Sequence, residues 1–262
     1  MKNKKTRTIA IVAAKGGVGK TTTSINLAMA FTTYGRNTTL VDANLSTPNI
    51  GIYLGVPILP VTLHDVVKGK KHVKKAIYAH TSGTKIVPAS ISFQDMKKIN
   101  YDKLGDALEA LKEHTDLLVI DTPAGLGKET TIPLSAADDV LIITNPEMPS
   151  LTDALKTIKL CQEYKKNILG VVVTKTNSKN ADIPLKDIEN LLEHDVIGVI
   201  PEDRAVKFSQ AKKKAVVHSH PDSAAAIQYQ KLAGDILGEK VVEAPTQDSV
   251  MDVVLRFFKI KE

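Results

Sequence analysis

The chain has 262 residues, 43% of them hydrophobic, which is enough apolar material for one α/β domain or two small ones. Its single cysteine excludes a disulfide framework or a cysteine-held cluster within one chain, and no run of about 18 apolar residues is present to cross a membrane. Aromatic content is 4% with no tryptophan, so the core must be mainly aliphatic; the net charge of +6 favours anionic partners (nucleotide, nucleic acid or acidic lipid) without choosing among them.

A basic start, Met1-Lys2-Asn3-Lys4-Lys5, precedes the β-branched run Thr8-Ile9-Ala10-Ile11-Val12. About six apolar residues before Lys15 are too few for the hydrophobic part of a secretory leader, so a cytoplasmic protein is expected. The run reads as a strand. Next come Lys15-Gly16-Gly17-Val18-Gly19-Lys20-Thr21-Thr22 and a helical pattern over residues 21–34. Strand, glycine loop and helix form a phosphate cradle. Glycines let successive backbone N–H groups turn inward onto an anion, and the helix start adds unpaired donors and the positive end of its dipole. Lys20 can reach the β- and γ-phosphates, and the Thr21 hydroxyl can take one position on Mg²⁺. An ordinary glycine turn would match seven such fixed positions by chance less than about once in ten million windows. The octet therefore indicates a bound nucleoside triphosphate. Ala14 stands where the standard pattern has its first glycine, and Lys15 is a second lysine that a simple cradle does not need.

Further apolar runs read as strands at 39–41, 85–87, 117–120, 140–144, 169–173 and 196–200, and helical patterns lie at 102–113, 151–164, 185–192 and 224–237. Continuous Val/Ile/Leu strands alternating with helices indicate an α/β domain over residues 1–238, a mostly parallel sheet with helices on both faces. No internal repeat or domain break precedes residue 238. Asp42, at the end of the second strand, is placed where a carboxylate can face Mg²⁺ and its water shell; a turn or helix-cap role is the other reading. Asp121 ends the run Leu117-Leu118-Val119-Ile120 as a Walker B acid does and would bind Mg²⁺ through water. Gly125, in the loop that follows, can bring a backbone N–H to the γ-phosphate. Cys161 falls in a helical pattern with Leu151, Leu155 and Ile158 and reads as core packing; His218 and His220 have no acidic or cysteine ligand beside them and read as a surface pair.

Lys68, Lys70, Lys71, Lys74 and Lys75 form one basic cluster and Lys212-Lys213-Lys214 a second, without interleaved aromatics. They read either as solvated faces or as contacts to a nucleic-acid backbone. Residues 239–249 are polar, contain a proline and read as a linker. Residues 250–262 place Val250, Val253, Val254, Phe257 and Phe258 on one helical face with Lys/Arg flanking, the composition of an interfacial membrane helix; docking on the protein's own core is the other reading.

Together these segments resemble the MinD/ParA family of deviant Walker A ATPases, over about residues 7–237. The resemblance is carried by the octet with Lys15, Val-Asp-Ala at 41–43, Ile-Asp-Thr-Pro-Ala-Gly at 120–125, Thr-Asn-Pro-Glu at 144–147 and Val-Ile-Pro-Glu-Asp at 199–203. The last three, with the tail, look most like the membrane-binding MinD branch. The resemblance implies an ATP-Mg²⁺ homodimer in which Lys15 crosses to the partner's phosphates, much as an arginine finger does. It implies an adenine pocket at Thr174-Lys175 and Pro201-Glu202, although many relatives have Asn-Arg where this chain has Thr-Lys. It also implies a second acid at position 44, where this chain has Asn44. Asn can hydrogen-bond a water but cannot accept its proton, so ATP binding with slow turnover is expected; the alternative is that Asn44 orients water adequately while Asp42 supplies charge.

The expectation is thus a MinD-like ATPase that binds anionic membrane on the cytoplasmic face as an ATP dimer, for spatial organisation or division-site positioning, with a regulatory protein as a possible further partner. The alternatives are a ParA-like, DNA-associated partition ATPase and a nucleotide-gated scaffold with negligible turnover. Iron–sulfur relatives are disfavoured because their cluster cysteines are missing.

Overall fold

A computed structural model describes residues 6–97, 99–177 and 183–239. The tail residues Val250, Val253, Val254, Phe257 and Phe258, and the linker beyond its first residue, lie outside the described residues. In chain order the elements are β1 (Arg7–Val12), α1 (Lys20–Thr33), β2 (Thr38–Asp42), α2 (Ile50–Tyr53), α3 (Leu63–Val67), a 3-10 turn (Val73–Ala76), β3 (Tyr78–Ala79), β4 (Lys85–Val87), α4 (Asp102–Lys112), β5 (Leu117–Asp121), α5 (Lys128–Ala136), β6 (Asp139–Thr144), α6 (Met148–Glu163), β7 (Asn167–Thr176), α7 (Leu185–Leu192), β8 (Val196–Pro201), α8 (Arg204–Ala211), α9 (Val216–Ser219) and α10 (Ala224–Leu237).

The strands form one sheet in the order β3-β4-β2-β5-β1-β6-β7-β8. All neighbours are parallel except β3 and β4. Every residue of β2, β5 and β6 is buried, which is why these strands read as unbroken apolar runs. Alternate side chains serve opposite faces. Ile9, Ile11, Leu117, Val119, Leu141 and Ile143 pack under α1, α9 and α10. Leu118 and Ile120 face α3 and α4, while Ala10, Val12, Val140 and Ile142 face α6 and α7. Cys161 is in this last cluster and fully buried, the core role expected of it, and burial pushes its thiol up to about 11.

Several elements were not legible as periodic patterns. The helices α2, α3 and α9 span four or five residues, too short for a 3.6-residue stripe to develop, and α5 carries Pro133 inside it. The two-residue β3 is an antiparallel edge. What matters for function is the centre of the sheet: β1 lies between β5 and β6, and β2 adjoins β5, so the carboxyl ends of β1, β2 and β5 open side by side.

Candidate nucleotide site

The loop between β1 and α1 takes a form that only glycine adopts without strain. Gly17 and Gly19 have φ of +81° and +92°. Gly19 is the N-cap of α1 and no side chain caps the helix, so its first N–H groups remain for an anion. The loop is held from the far end of β7. The Thr174 hydroxyl donates to the Val18 carbonyl at 2.5 Å and accepts from the Asn145 side-chain amide at 3.1 Å. Lys175, itself left-handed at φ +57°, donates from Nζ to the Gly17 carbonyl at 2.6 Å. Thr174 and Lys175 are thus part of the phosphate loop's support as well as lining the cleft with Pro201 and Glu202.

Lys20, 8% exposed, donates to Asp121 Oδ1 at 3.2 Å and to the Thr122 carbonyl. Thr21 Oγ1 donates to Asp121 Oδ2 at 2.7 Å, and Ser24 Oγ donates to Oδ1 at 2.8 Å. Ser24 was missed in the sequence, yet its spacing of four from Lys20 on α1 places both on one helix face. Asp42 and Asp121 are register partners, each fully buried. Asp42 Oδ2 accepts the N–H groups of Asn49 and Ile50, both at 3.0 Å, and Oδ1 accepts that of Asn44 at 3.2 Å. It therefore caps α2, the turn or cap role that was one reading of it, while standing beside Asp121. Burial, and then the neighbouring Asp121 charge, raise the Asp42 carboxyl to about 7.

Two adjacent carboxylates with the Thr21 hydroxyl are hard oxygen donors, the set that suits Mg²⁺. No group of three or more His, Cys, Asp or Glu side chains gathers among the described residues, His218 and His220 included. A small carboxylate set fits an ion whose remaining ligands are water and phosphate.

Asn44, 6% exposed, is occupied at both ends. Its amide nitrogen donates to the Thr47 carbonyl at 2.7 Å, and its oxygen accepts the Thr47 N–H at 3.1 Å. Two residues on, Ser46 Oγ donates to Glu129 Oε2 at 2.8 Å. The Gly125 N–H donates to the Ala13 carbonyl at 3.2 Å, so it lies beside the phosphate loop but bonded to protein. Lys15 Nζ turns towards the start of α6, 3.2 Å from Ser150 Oγ and 3.6 Å from Glu147 Oε2. A cleft of about 770 Å³ runs from Lys15 and the loop glycines past Asn44, Ser46 and Glu129 to Pro201 and Val206. That is the size range of small-ligand sites.

The fold that positions these groups recurs in solved structures. The cell division ATPase MinD of Pyrococcus furiosus superposes with a TM-score of 0.85 at 34% identity, over 88% of this chain and 98% of that one. MinD of Pyrococcus horikoshii, solved with Mg-ADP, gives 0.84 at 31% identity, over 88% and 96%. A family model described as an AAA domain matches residues 6–171. The chain belongs to the MinD/ParA family of P-loop ATPases. An uncharacterized ATP-binding protein of Methanocaldococcus jannaschii is 37% identical over 96% of this chain and 95% of its own length. A second model, the 4Fe-4S cluster binding proteins of the NifH/frxC family, matches residues 115–260. The chain has no cysteine set to hold such a cluster, since Cys161 is its single cysteine and is buried in the core.

Lys70, Lys71, Lys74 and Lys75 are exposed, while Lys68 pairs with Asp95 at 2.9 Å. Lys212, Lys213 and Lys214 are exposed, and Lys213 borders the cleft. No helix among the described residues is long and apolar enough to cross a membrane.

Proposed function

We propose that this chain is a MinD-like ATPase that closes as a homodimer around ATP and Mg²⁺ and, in that form, holds to an anionic membrane surface through residues 250–262. The observation that carries the reading is Lys15. Its ammonium faces Ser150 and Glu147 at the cleft mouth, with 41% of the side chain exposed, while Lys20 alone occupies the floor of the cradle. A lysine so placed is available to a second copy's phosphates. Thr21 directly, and Asp121 and Asp42 through water, would hold Mg²⁺, which neutralises phosphate charge when bound. The likeness to MinD supports division-site positioning as the class of process.

One copy of such a tail would bind a membrane marginally, and two on one dimer would gain about 10²–10⁴ in avidity. ATP would then switch membrane affinity by switching valency. The test is oligomeric state and pelleting with anionic liposomes, with ADP, ATP and a non-hydrolysable analogue. The full chain should dimerise and pellet with ATP or the analogue only. Deletion of 250–262 should abolish pelleting and leave the dimer, and Lys15→Ala should abolish the dimer and leave ADP binding. Pelleting that survives the deletion would refute the role of the tail.

A further inference from the structure

Hydrolysis is helped by a group that holds a water in line with the γ-phosphate, and a carboxylate can also accept the water's proton. The acids around this cleft can be taken in turn. Asp42 is fully buried and accepts three backbone N–H groups. Asp121 accepts from Lys20, Thr21 and Ser24. Glu202 pairs with Lys207 at 3.2 Å and Asp203 caps α8, both at the Pro201 end of the cleft. Glu147 lies 3.6 Å from Lys15. Asn44 is an amide, and Thr47 saturates both its ends.

Glu129 remains. It sits in the first turn of α5, half-buried, and lines the cleft beside Pro123 and Ala124, just past the strand that ends in Asp121. Its Oε2 accepts the Ser46 hydroxyl at 2.8 Å, and Ser46 Oγ lies 3.2 Å from the Tyr101 hydroxyl. This relay from two other segments fixes the carboxylate next to the Asn44 loop. We infer that Glu129 is the carboxylate that orients the attacking water and takes its proton, the acid function that Asn44 cannot supply. Ser46 and Tyr101 are its positioning residues.

The water oxygen bonds to the γ-phosphorus as the bond to the β–γ bridging oxygen breaks, and ADP leaves with that electron pair. One water proton passes to Glu129 and then to solvent, so ATP and water give ADP, phosphate and a proton.

This inference rests on the ATP-hydrolysing reading above, and the experiment separates the two. Phosphate release and fluorescent-ATP affinity are measured on the full chain and on Glu129→Gln, Ser46→Ala, Asn44→Asp and the Glu129→Gln/Asn44→Asp double variant. Glu129→Gln should lower kcat about 10²-fold with nucleotide affinity within about twofold, and Ser46→Ala should lower it less. An aspartate at 44 can no longer donate to the Thr47 carbonyl, and oxygen–oxygen repulsion turns it towards the cleft. Asn44→Asp should therefore raise turnover and restore it in the double variant, a rescue that a merely structural Glu129 would not permit. Turnover of Glu129→Gln within twofold of the parent, or a loss carried entirely by affinity, would overturn the role of Glu129 alone. Background turnover in the parent would overturn the ATPase reading and this role with it.

Discussion

Asp42 and Asp121 stand opposite each other at the carboxyl ends of β2 and β5, both with no exposed surface. Burial disfavours the charged form of Asp42, and the Asp121 charge opposite adds to that. Asp42 responds by shifting from 3.8 to about 7, against the opposing pull of the Ile50 and Asn49 N–H groups and Lys20. A divalent cation beside the pair would remove the reason for the shift.

A pH dependence follows. Between 3.8 and about 7 the folded chain holds the Asp42 proton and the unfolded chain does not. The stability this group contributes is therefore present below 3.8 and is lost as pH rises through 7. Nucleotide with Mg²⁺ should restore it, so the gain in thermal unfolding temperature from Mg-ADP should be larger at about pH 7.5 than at about pH 5.5. Asp42→Asn should flatten the difference. An equal Mg-ADP gain at both pH values would contradict this account.

Thr174 joins β7 to the phosphate loop across 156 positions of sequence, through its bond to the Val18 carbonyl. Thr174→Ala removes that donor and one acceptor of the buried Asn145 amide, which is worth roughly 1–3 kcal/mol in urea unfolding. ADP affinity should fall about tenfold as the loop loses its tether, since about 1.4 kcal/mol is a factor of ten. Thr174→Ser should retain most of both. Full ADP affinity in the alanine variant would remove Thr174 from the site.

His64 connects the Asn44 loop to the segment after β4. It is 1% exposed, with Nε2 at 3.0 Å from the Leu45 carbonyl and Nδ1 accepting the Ser90 N–H at 3.0 Å. Those partners require the neutral ring with its proton on Nε2, and burial lowers its pKa below 6.5. The stability it contributes is present above 6.5 and lost as pH falls through its lowered value. Lowering the pH from about 7 to about 5 should thus destabilise the parent more than His64→Gln, read as the urea midpoint. Asp42 acts in the opposite direction, so each variant is compared with the parent across the same pH step. Equal losses would show that His64 does not carry the acid sensitivity.

Much of this protein is written locally. The octet from Lys15 to Thr22 specifies a strand, a loop with left-handed glycines and a helix start, all within about fifteen residues, so the cradle and its triphosphate were legible without any fold. The unbroken apolar runs likewise announced buried parallel strands, because a strand covered on both faces cannot afford polar alternation. Asp121 could be recognised for the same reason, as the acid that closes such a run.

Other features depend on which strands become neighbours, and no local pattern encodes that. Asp42 meets Asp121 only because β2 and β5 pair in register. Thr174 supports Val18 only because the end of β7 comes up beside the phosphate loop. Asn44 was legible as a departure from its family, but its closure onto Thr47 and the placing of Glu129 beside Ser46 required the loops themselves. Lys15 was legible as surplus, and its turn towards Ser150 came with the packing of α6 against the sheet. Sequence determines those chemical groups whose geometry the backbone sets within a few residues; groups that act as pairs across the sheet are decided by tertiary packing, because burial and register alone bring them within bonding distance.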